Sequence, residues 1–244
     1  MIYMELETIE FISGMFSVII VIISVIVGLK ITSKYFEHKQ KTFILVGITW
    51  IGVVSPWYPS SVSFLLVLIT GEALIPVIYF ILGISFLPFF MFVWLTAFTE
   101  FLYKEKQKII LLLFSITGVI FESLFIYFLL VDPSQIGELT GPVNVEYKTF
   151  VLIYVLFLVI TLVSTGLLFA RESLRSDKPE IKLKGKLLIL AFLTYAVAGL
   201  VDALLPINIT TVVIMRLVAI SSAILFYGGF CLPKWMKNIF LKKE

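Results

Sequence analysis

Long uncharged hydrophobic runs alternate with short charged segments along the chain. The hydrocarbon core of a bilayer is about 30 Å thick, so a helix that crosses it needs roughly 20 apolar residues. Seven runs approach or exceed this length. The predicted helices cover residues 9–31, 42–70, 72–103, 108–131, 147–170, 185–205 and 209–232. The pattern therefore predicts an all-α fold in which residues 1–244 form a single integral membrane domain, a bundle of seven transmembrane helices.

The stretch from Thr42 to Thr99 allows two, three or four helices, and the placement of basic residues decides between them. Clusters of Lys and Arg mark cytoplasmic loops, so Lys41 and Lys104 lie on the same side and an even number of crossings separates them. Four crossings would have only about 15 residues each, which is too short. We therefore expect two long helices. The four clusters are Lys30, Lys34, Lys39 and Lys41; Lys104, Lys106 and Lys108; Arg171, Arg175, Lys178, Lys182, Lys184 and Lys186; and Lys234, Lys237, Lys242 and Lys243.

Acidic residues dominate the segments at the other ends of the predicted helices. The N-terminal tail carries Glu5, Glu7 and Glu10 without any Lys or Arg, and the loop Asp132–Lys148 holds three acidic residues against one lysine. By the positive-inside rule, the N-terminus lies outside and the C-terminus lies in the cytoplasm. We therefore expect a multi-pass protein of the cell membrane, with the lipid bilayer as its main surroundings.

The composition excludes several classes of protein. Hydrophobic residues make up 60% of the chain and charged residues only 14%, against about 25% in a typical soluble domain. A net charge of +3 gives no basic surface for nucleic acid. One cysteine and one histidine argue against a disulfide framework and a histidine-ligated metal site. No phosphate loop, HExxH or GxSxG motif is present, and no lysine between Lys186 and Lys234 could bind retinal. We expect no catalytic residue, metal or cofactor.

Prolines interrupt the second and third hydrophobic runs. They are Pro56, Pro59, Pro76 and Pro88. Each proline frees a backbone carbonyl, which needs a protein or water partner inside a membrane. The breaks are therefore either ordinary kinks or the walls of a small polar cavity between two broken helices. A further alternative is that residues 55–61 end the second helix outside and residues 62–70 lie flat at the interface, where Trp57 and Tyr58 are suited to the aromatic belt.

Three charged residues lie inside the predicted spans: Glu122, Asp202 and Arg216. An arginine at the membrane centre costs about 2.5–3.5 kcal/mol on insertion scales, so such residues usually face the bundle and have partners. At a rise of 1.5 Å per residue, all three fall in the outer half, within roughly 10 Å of one another in depth. We expect an Asp202–Arg216 pair with Glu122 nearby, either as a structural polar cluster or as the lining of an outward-facing ligand pocket.

Several local features accompany the seven-helix pattern. Trp50 lies in the long second helix, and the third contains Ile-Tyr-Phe-Ile-Leu-Gly at 78–83 followed by Leu87-Pro88. With the basic segment 173–186 and the exit Phe-Tyr-Gly-Gly-Phe-Cys-Leu-Pro at 226–233, the chain resembles archaeal seven-transmembrane proteins and the seven-helix sensor regions of many archaeal and bacterial histidine kinases. The resemblance implies sensing by the bundle and output by a cytoplasmic domain. No kinase region follows, so we expect output through a separate polypeptide.

Three functions remain open from the sequence. The first is a non-enzymatic sensor or receptor-like module, in which the Arg171–Lys186 loop and the C-terminal tail contact a cytoplasmic signalling partner. The second is a small secondary transporter or channel with an outward-facing polar cavity. The third is a scaffolding subunit without a ligand. A cavity open to one side favours the sensor, a cavity that reaches the midplane between broken helices favours the transporter, and the lack of any cavity favours the scaffold.

Overall fold

The computed structural model describes residues 6–204 and 208–241. Nearly all of these residues are helical. The elements are α1 Thr8–His38, α2 Thr42–Val53, α3 Tyr58–Thr70, α4 Pro76–Phe80, α5 Leu87–Leu102, α6 Gln107–Val131, β1 Gly137–Leu139, β2 Val145–Tyr147, α7 Thr149–Leu174, α8 Pro179–Leu204, α9 Ile209–Cys231 and α10 Lys234–Phe240. The predicted acidic residue Glu5, the predicted helix end at Leu205, and Lys242 and Lys243 lie outside the described residues.

Seven stretches of helix are long and apolar enough to cross a membrane, which confirms the number of predicted spans. Two of the spans are composite, because α2 and α3 form the second span and α4 and α5 form the third. The stretch from Thr42 to Thr99 thus holds two long spans, as the charge argument required. The fold is an all-α bundle whose composition suits a multi-pass membrane protein.

The helices extend beyond the hydrophobic runs. α1 continues to His38, and the predicted Arg171–Lys186 loop is mostly helical, because α7 ends at Leu174 and α8 begins at Pro179. Charged side chains that leave the apolar region can still continue the helical hydrogen bonds, so hydropathy marks these ends too early. Pro76 is also corrected: it begins the third span instead of interrupting it, since proline at the first helical position loses no hydrogen bond.

Apolar side chains cover the outside of the bundle, and the interior mixes large hydrophobic residues with small and polar ones. On α6, Ile109 and Leu112 are more than 60% exposed, whereas the Ser17 hydroxyl of α1 is buried. α1 and α2 cross at two glycines, where a methyl group added to Gly47 would lie 2.5 Å from the Gly28 carbonyl oxygen. Close backbone approach at small residues is typical of helices that pack in lipid. The distribution of side chains therefore fits a lipid environment.

Six spans form a closed ring and one span packs outside it. α1 packs on α2 and α9, α9 on α8, α8 on α7, and α7 on α5, which contacts α2 and closes the ring. α6 packs on α5 from outside, and the Phe121 ring of α6 stacks on Tyr154 of α7 with centroids 3.9 Å apart. α6 is therefore peripheral, and the interior of the bundle is formed by the other spans.

The breaks in the second and third spans are satisfied by hydrogen bonds from side chains. A tight helical turn at Ser55–Trp57 joins α2 to α3. The Tyr58 hydroxyl donates to the Ile51 carbonyl over 2.6 Å, and the Tyr195 hydroxyl of α8 donates to the Val53 carbonyl over 2.7 Å. Both acceptors lie beside the break, where backbone carbonyls need hydrogen-bond partners inside a membrane. α2, the turn and α3 together form one stretch long and apolar enough to cross a membrane, which differs from the alternative that residues 62–70 lie flat at the interface.

In the third span, a wider helical turn, a π-turn at Ile81–Ser85, precedes Pro88 and joins α4 to α5. The Gly83 carbonyl in this turn accepts a hydrogen bond from the Ser55 hydroxyl over 3.0 Å. The two breaks therefore contact each other at the same level of the bundle. Irregular backbone from both spans therefore lies beside the space between the helices. Two regular helices would pack together and fill this space.

The segment between α6 and α7 forms a short hairpin that the sequence analysis did not predict. β1 and β2 are antiparallel, with Glu138 opposite Glu146. The loop of the hairpin contacts the bundle, because the Ser13 hydroxyl donates to Asn144 over 3.1 Å and the Ser63 hydroxyl donates to the Pro142 carbonyl. We call this the hairpin end of the bundle, and we call the opposite end the basic end, because it carries the described residues of the four Lys/Arg clusters.

Candidate functional site

A cavity of about 120 Å³ lies between the two helix breaks and the hairpin. Its walls come from the turn after α2, from α3, α4, α7, α8 and α9, and from residues 143–147 of the hairpin segment. A polar cavity of this size can hold several water molecules. Of the four predicted breaks, only Pro56 lines this cavity. The break at Pro56 therefore coincides with a cavity, which is one of the three interpretations that the prolines allow.

Asp202 and Arg216 form an ion pair in the wall of the cavity. Nη1 of Arg216 donates to Oδ2 of Asp202 over 2.8 Å, and the indole Nε1 of Trp57 donates to the same oxygen over 3.1 Å. The guanidinium carbon lies 5.6 Å from the centroid of the Trp57 ring. The pair forms because α8 and α9 pack side by side and place the end of one next to the start of the other. Arg216 thus has a counter-charge and an aromatic neighbour.

A second polar group connects the helices to the hairpin. The Ser60 hydroxyl donates to the Tyr79 hydroxyl over 2.8 Å, and Tyr79 in turn donates to the Val143 carbonyl over 2.9 Å. Tyr79 is completely buried, so both hydrogen bonds lie away from bulk solvent. With the contacts of Ser13 and Ser63, they attach the hairpin to α1, α3 and α4. The hairpin therefore forms part of the cavity wall at its own end of the bundle.

Polar atoms beside the cavity lack hydrogen-bond partners among the described residues. These are Nε of Arg216 and the buried hydroxyl oxygen of Tyr147. Burial raises the pKa of Tyr147 well above its ordinary value, so the hydroxyl keeps its proton and can donate. A buried polar group without a partner costs about 1–3 kcal/mol. Water or a ligand in the cavity would remove this cost.

Aromatic packing closes the cavity toward the basic end. Tyr195 lines its floor, and beyond it the Trp50 ring stacks on Phe226 with centroids 3.9 Å apart. Phe192 contacts the same Phe226 ring edge-on at 5.6 Å, and each of these three rings is at most 2% exposed. The adjoining space is apolar and holds only about 30 Å³. Among the described residues, no polar path continues from the cavity to the basic end.

The structure corrects the predicted three-residue cluster, because Glu122 lies apart from Asp202 and Arg216. Glu122 is on the peripheral α6 and lines a lateral groove with Pro88 of α5. The Ser85 hydroxyl lies 3.4 Å from its Oε2, and its Oε1 has no partner within the described residues. Similar depth along two helices does not bring side chains together when one helix packs outside the ring.

The sequence analysis missed the aromatic and hairpin residues of the site. One alternative from the sequence places Trp57 at the membrane interface, whereas it donates to Asp202 inside the bundle. A tryptophan between two prolines gives some signal for a buried hydrogen-bond donor at a helix break. The sequence gives no such signal for Tyr79, Tyr147 and Tyr195, because an aromatic residue in a hydrophobic run usually belongs to the packed core. Their roles depend on which helices are neighbours.

Comparison of the chain with models of protein families, with curated proteins and with solved structures finds no match. In residues 6–204 and 208–241, no group of three His, Cys, Asp or Glu side chains is close enough to hold a metal ion. The site is therefore interpreted from its own geometry. It consists of an ion pair with no net charge, polar atoms without partners and a small cavity at one end of a helical bundle.

Proposed function

We propose that the chain is a multi-pass protein of the cell membrane, with its N-terminus outside and its C-terminus in the cytoplasm. The contacts at the basic end support this orientation. Lys30 lies over the Tyr227 ring at 5.7 Å, and Lys184 donates to the Phe230 carbonyl over 3.2 Å, so two Lys/Arg clusters meet at the end of α9. The acidic hairpin lies at the other end. Clustered lysine and arginine are typical of the cytoplasmic side.

In this proposal the bundle is a non-enzymatic, receptor-like sensor whose cavity takes a small molecule from outside. The observation that carries the proposal is a polar cavity confined to the hairpin end and separated from the basic end by packed aromatic rings. A ligand in such a site has no exit to the cytoplasm, but it can change how α8 and α9 pack. Output would pass through the basic end, at residues 175–178 and the C-terminal helix α10, to a separate partner.

A secondary transporter or channel is the alternative, and the helix breaks favour it. Transporters often bind substrates where two discontinuous helices meet near the middle of the membrane. Here the turns at Ser55–Trp57 and Ile81–Ser85 contact each other beside the cavity. The closed aromatic floor argues against this alternative, because transport requires a second opening toward the basic end.

Cavity filling by mutation tests the sensor without a known ligand. A Cβ atom at Gly199, in the cavity wall, would have no atom within 4 Å, so Gly199→Leu fills empty space. Nitroxide labels at Ser33→Cys and Asp177→Cys, in a Cys231→Ser background, report the distance between α1 and the α7–α8 connection by pulsed electron resonance. We expect Gly199→Leu to shift that distance by about 1–2 Å, the scale of helix shifts in switching proteins.

The matched control is Val197→Leu, on the same helix but 50% exposed on the outer surface. It should leave the label distance unchanged. An unchanged distance in Gly199→Leu as well would contradict the sensor proposal. Proton or sodium flux in proteoliposomes that Asp202→Asn abolishes would favour the transporter instead. Labelling of a cysteine at Lys106 by an impermeant reagent outside sealed cells would overturn the proposed orientation.

A further inference from the structure

The charge of the cavity excludes ionic ligands. Asp202 and Arg216 neutralise each other at 2.8 Å, and the other polar groups in the wall are hydroxyls, an indole and an amide. A bound anion or cation would therefore add a charge without a counter-charge. Burial of an unpaired charge is strongly unfavourable. The cavity is consequently suited to a molecule with no net charge and no separated charges.

The polar atoms without partners would all be satisfied by a ligand that has both a hydrogen-bond donor and an acceptor. Nε of Arg216 can only donate, and the Tyr147 hydroxyl can donate as well. The Asp202 carboxylate can only accept hydrogen bonds. Its Oδ2 accepts from Arg216 and Trp57, whereas its Oδ1 accepts from none of the described residues. The side chain is 28% exposed, so a ligand could reach it. A ligand that accepts from the first two groups and donates to the carboxylate would complete them.

The size of the cavity limits the ligand to a few atoms. Its volume of about 120 Å³ is somewhat below that of a cavity of about 150 Å³ that binds benzene, so a molecule with about four to six non-hydrogen atoms is of suitable size. Val155 and Val159 provide apolar wall opposite the polar groups, and the open space above Gly199 adjoins them. A compact planar polar group with a short apolar end would therefore contact both the polar groups and the apolar wall of the cavity.

We infer that the cavity is a binding site for a small uncharged molecule that carries a hydrogen-bond acceptor and an adjacent donor, as a primary amide does. The inference deepens the proposed sensor function and rests on it, because it names the class of molecule that the bundle detects. Binding through Asp202, Arg216 and Tyr147 would hold α8, α9 and the hairpin together around the ligand. No reaction is involved.

Four probes with four non-hydrogen atoms each separate charge from hydrogen bonding. Acetamide is neutral with a donor and an acceptor, acetone is neutral with an acceptor only, acetate is an anion and acetamidinium is a cation. Thermal unfolding of the full chain in lipid nanodiscs, at probe concentrations up to about 100 mM, gives apparent dissociation constants, because a ligand that binds only the folded state raises its stability. We expect saturable stabilisation by acetamide and at least about tenfold weaker binding of the other three.

Two tyrosine variants locate the binding. Tyr147→Phe removes the partnerless hydroxyl in the cavity wall and should weaken acetamide binding by about three- to tenfold, the effect of one hydrogen bond. Tyr154→Phe removes a second partnerless hydroxyl, on α7 but outside this cavity, and should leave binding unchanged. Both changes keep the aromatic ring, so both variants are expected to fold.

Equal stabilisation by all four probes, or tighter binding of acetate or acetamidinium than of acetamide, would overturn the inference. The same holds for a structure with acetamide that contains only ordered water in the cavity. The two proposals fail separately. If acetamide does not bind but Gly199→Leu shifts the label distance, the ligand class is wrong and the sensor function stands. If acetamide binds without any shift, the site stands and the sensor function does not.

Discussion

Loss of one partner of the Asp202–Arg216 pair should strand the charge of the other, so the two single losses should sum to much more than the loss of both. Arg216 is only 7% exposed, so Asp202→Ala leaves a buried guanidinium without a counter-charge. A stranded charge of this kind costs about 3–5 kcal/mol. The same change removes the acceptor of the Trp57 indole N–H. We therefore place Asp202→Ala in the upper part of that range.

Arg216→Ala should cost less, about 2–3 kcal/mol, because the remaining carboxylate is better placed to tolerate the loss. The Asp202 side chain is 28% exposed, faces a cavity that can hold water, and keeps its hydrogen bond from Trp57. The double variant leaves no buried charge. Its loss should be about 3 kcal/mol, well below the sum of the two single losses, which gives a coupling energy of at least about 2 kcal/mol.

The assay is a double-mutant cycle on unfolding in nanodiscs, followed by circular dichroism. For domains of 150–250 residues, 1 kcal/mol corresponds to roughly 2–4 °C in Tm, so a loss of about 4–5 kcal/mol in Asp202→Ala should lower Tm by roughly 8–20 °C. The control cycle uses Glu172 and Arg175, an ion pair at 3.1 Å whose side chains are 43% and 61% exposed. Exposed pairs usually contribute at most about 1 kcal/mol.

Additive losses in the Asp202–Arg216 cycle would refute this reasoning. The coupling energy would then be no larger than that of the exposed control pair. Such a result would mean that the two charges do not depend on each other in the folded bundle. Arg216 would then require another partner, and the neutrality of the cavity could no longer be assumed.

Three further predictions concern packing and pH. Gly47→Ala should lower the free energy of unfolding by about 1–3 kcal/mol, measured by thermal unfolding, because its methyl group would lie 2.5 Å from the Gly28 carbonyl oxygen. Trp50→Ala should lower the free energy of unfolding by about 3–5 kcal/mol in the same assay, because it removes a buried ring. Trp50→Phe should lower it much less, because the ring is kept and the lost Nε1 has no partner among the described residues. Hydrogen bonds from Ser134 lower the pKa of Asp132, so the carboxylate stabilises the fold above pH 4–5. This contribution is lost as the pH falls further and the carboxylate is protonated. Asp132→Asn should therefore show a smaller drop in Tm between pH 5 and pH 3 than the unmodified chain.

The count of spans follows from the sequence, because the bilayer requires long apolar helices and the basic clusters allow only two between Lys41 and Lys104. The positions of the helix ends do not follow from the sequence. Hydropathy changes where charges begin, whereas a helix ends where its backbone hydrogen bonds end, and α1 and α7 continue past that point. Pro76 shows the same limit, since a proline can begin a helix as well as break one.

The ion pair was predictable because residues near a short connection between two helices must be neighbours. Asp202 and Arg216 flank such a connection, and their opposite charges require partners inside the bundle. Glu122 has no such constraint. Its helix could lie in the ring or outside it, and depth alone cannot distinguish these positions. The hairpin between α6 and α7 is too short and too polar to give a recognisable strand pattern.

By itself, the sequence determined the helical class, the number of spans and one buried pair, since each of these depends on local composition and on residues close together in the chain. Only the tertiary structure decided which spans form the ring, that Glu122 lies outside it, and that Trp57, Tyr79 and Tyr147 meet around one cavity. These contacts join elements that are far apart in sequence. They depend on the packing of whole helices, which no single run of residues encodes.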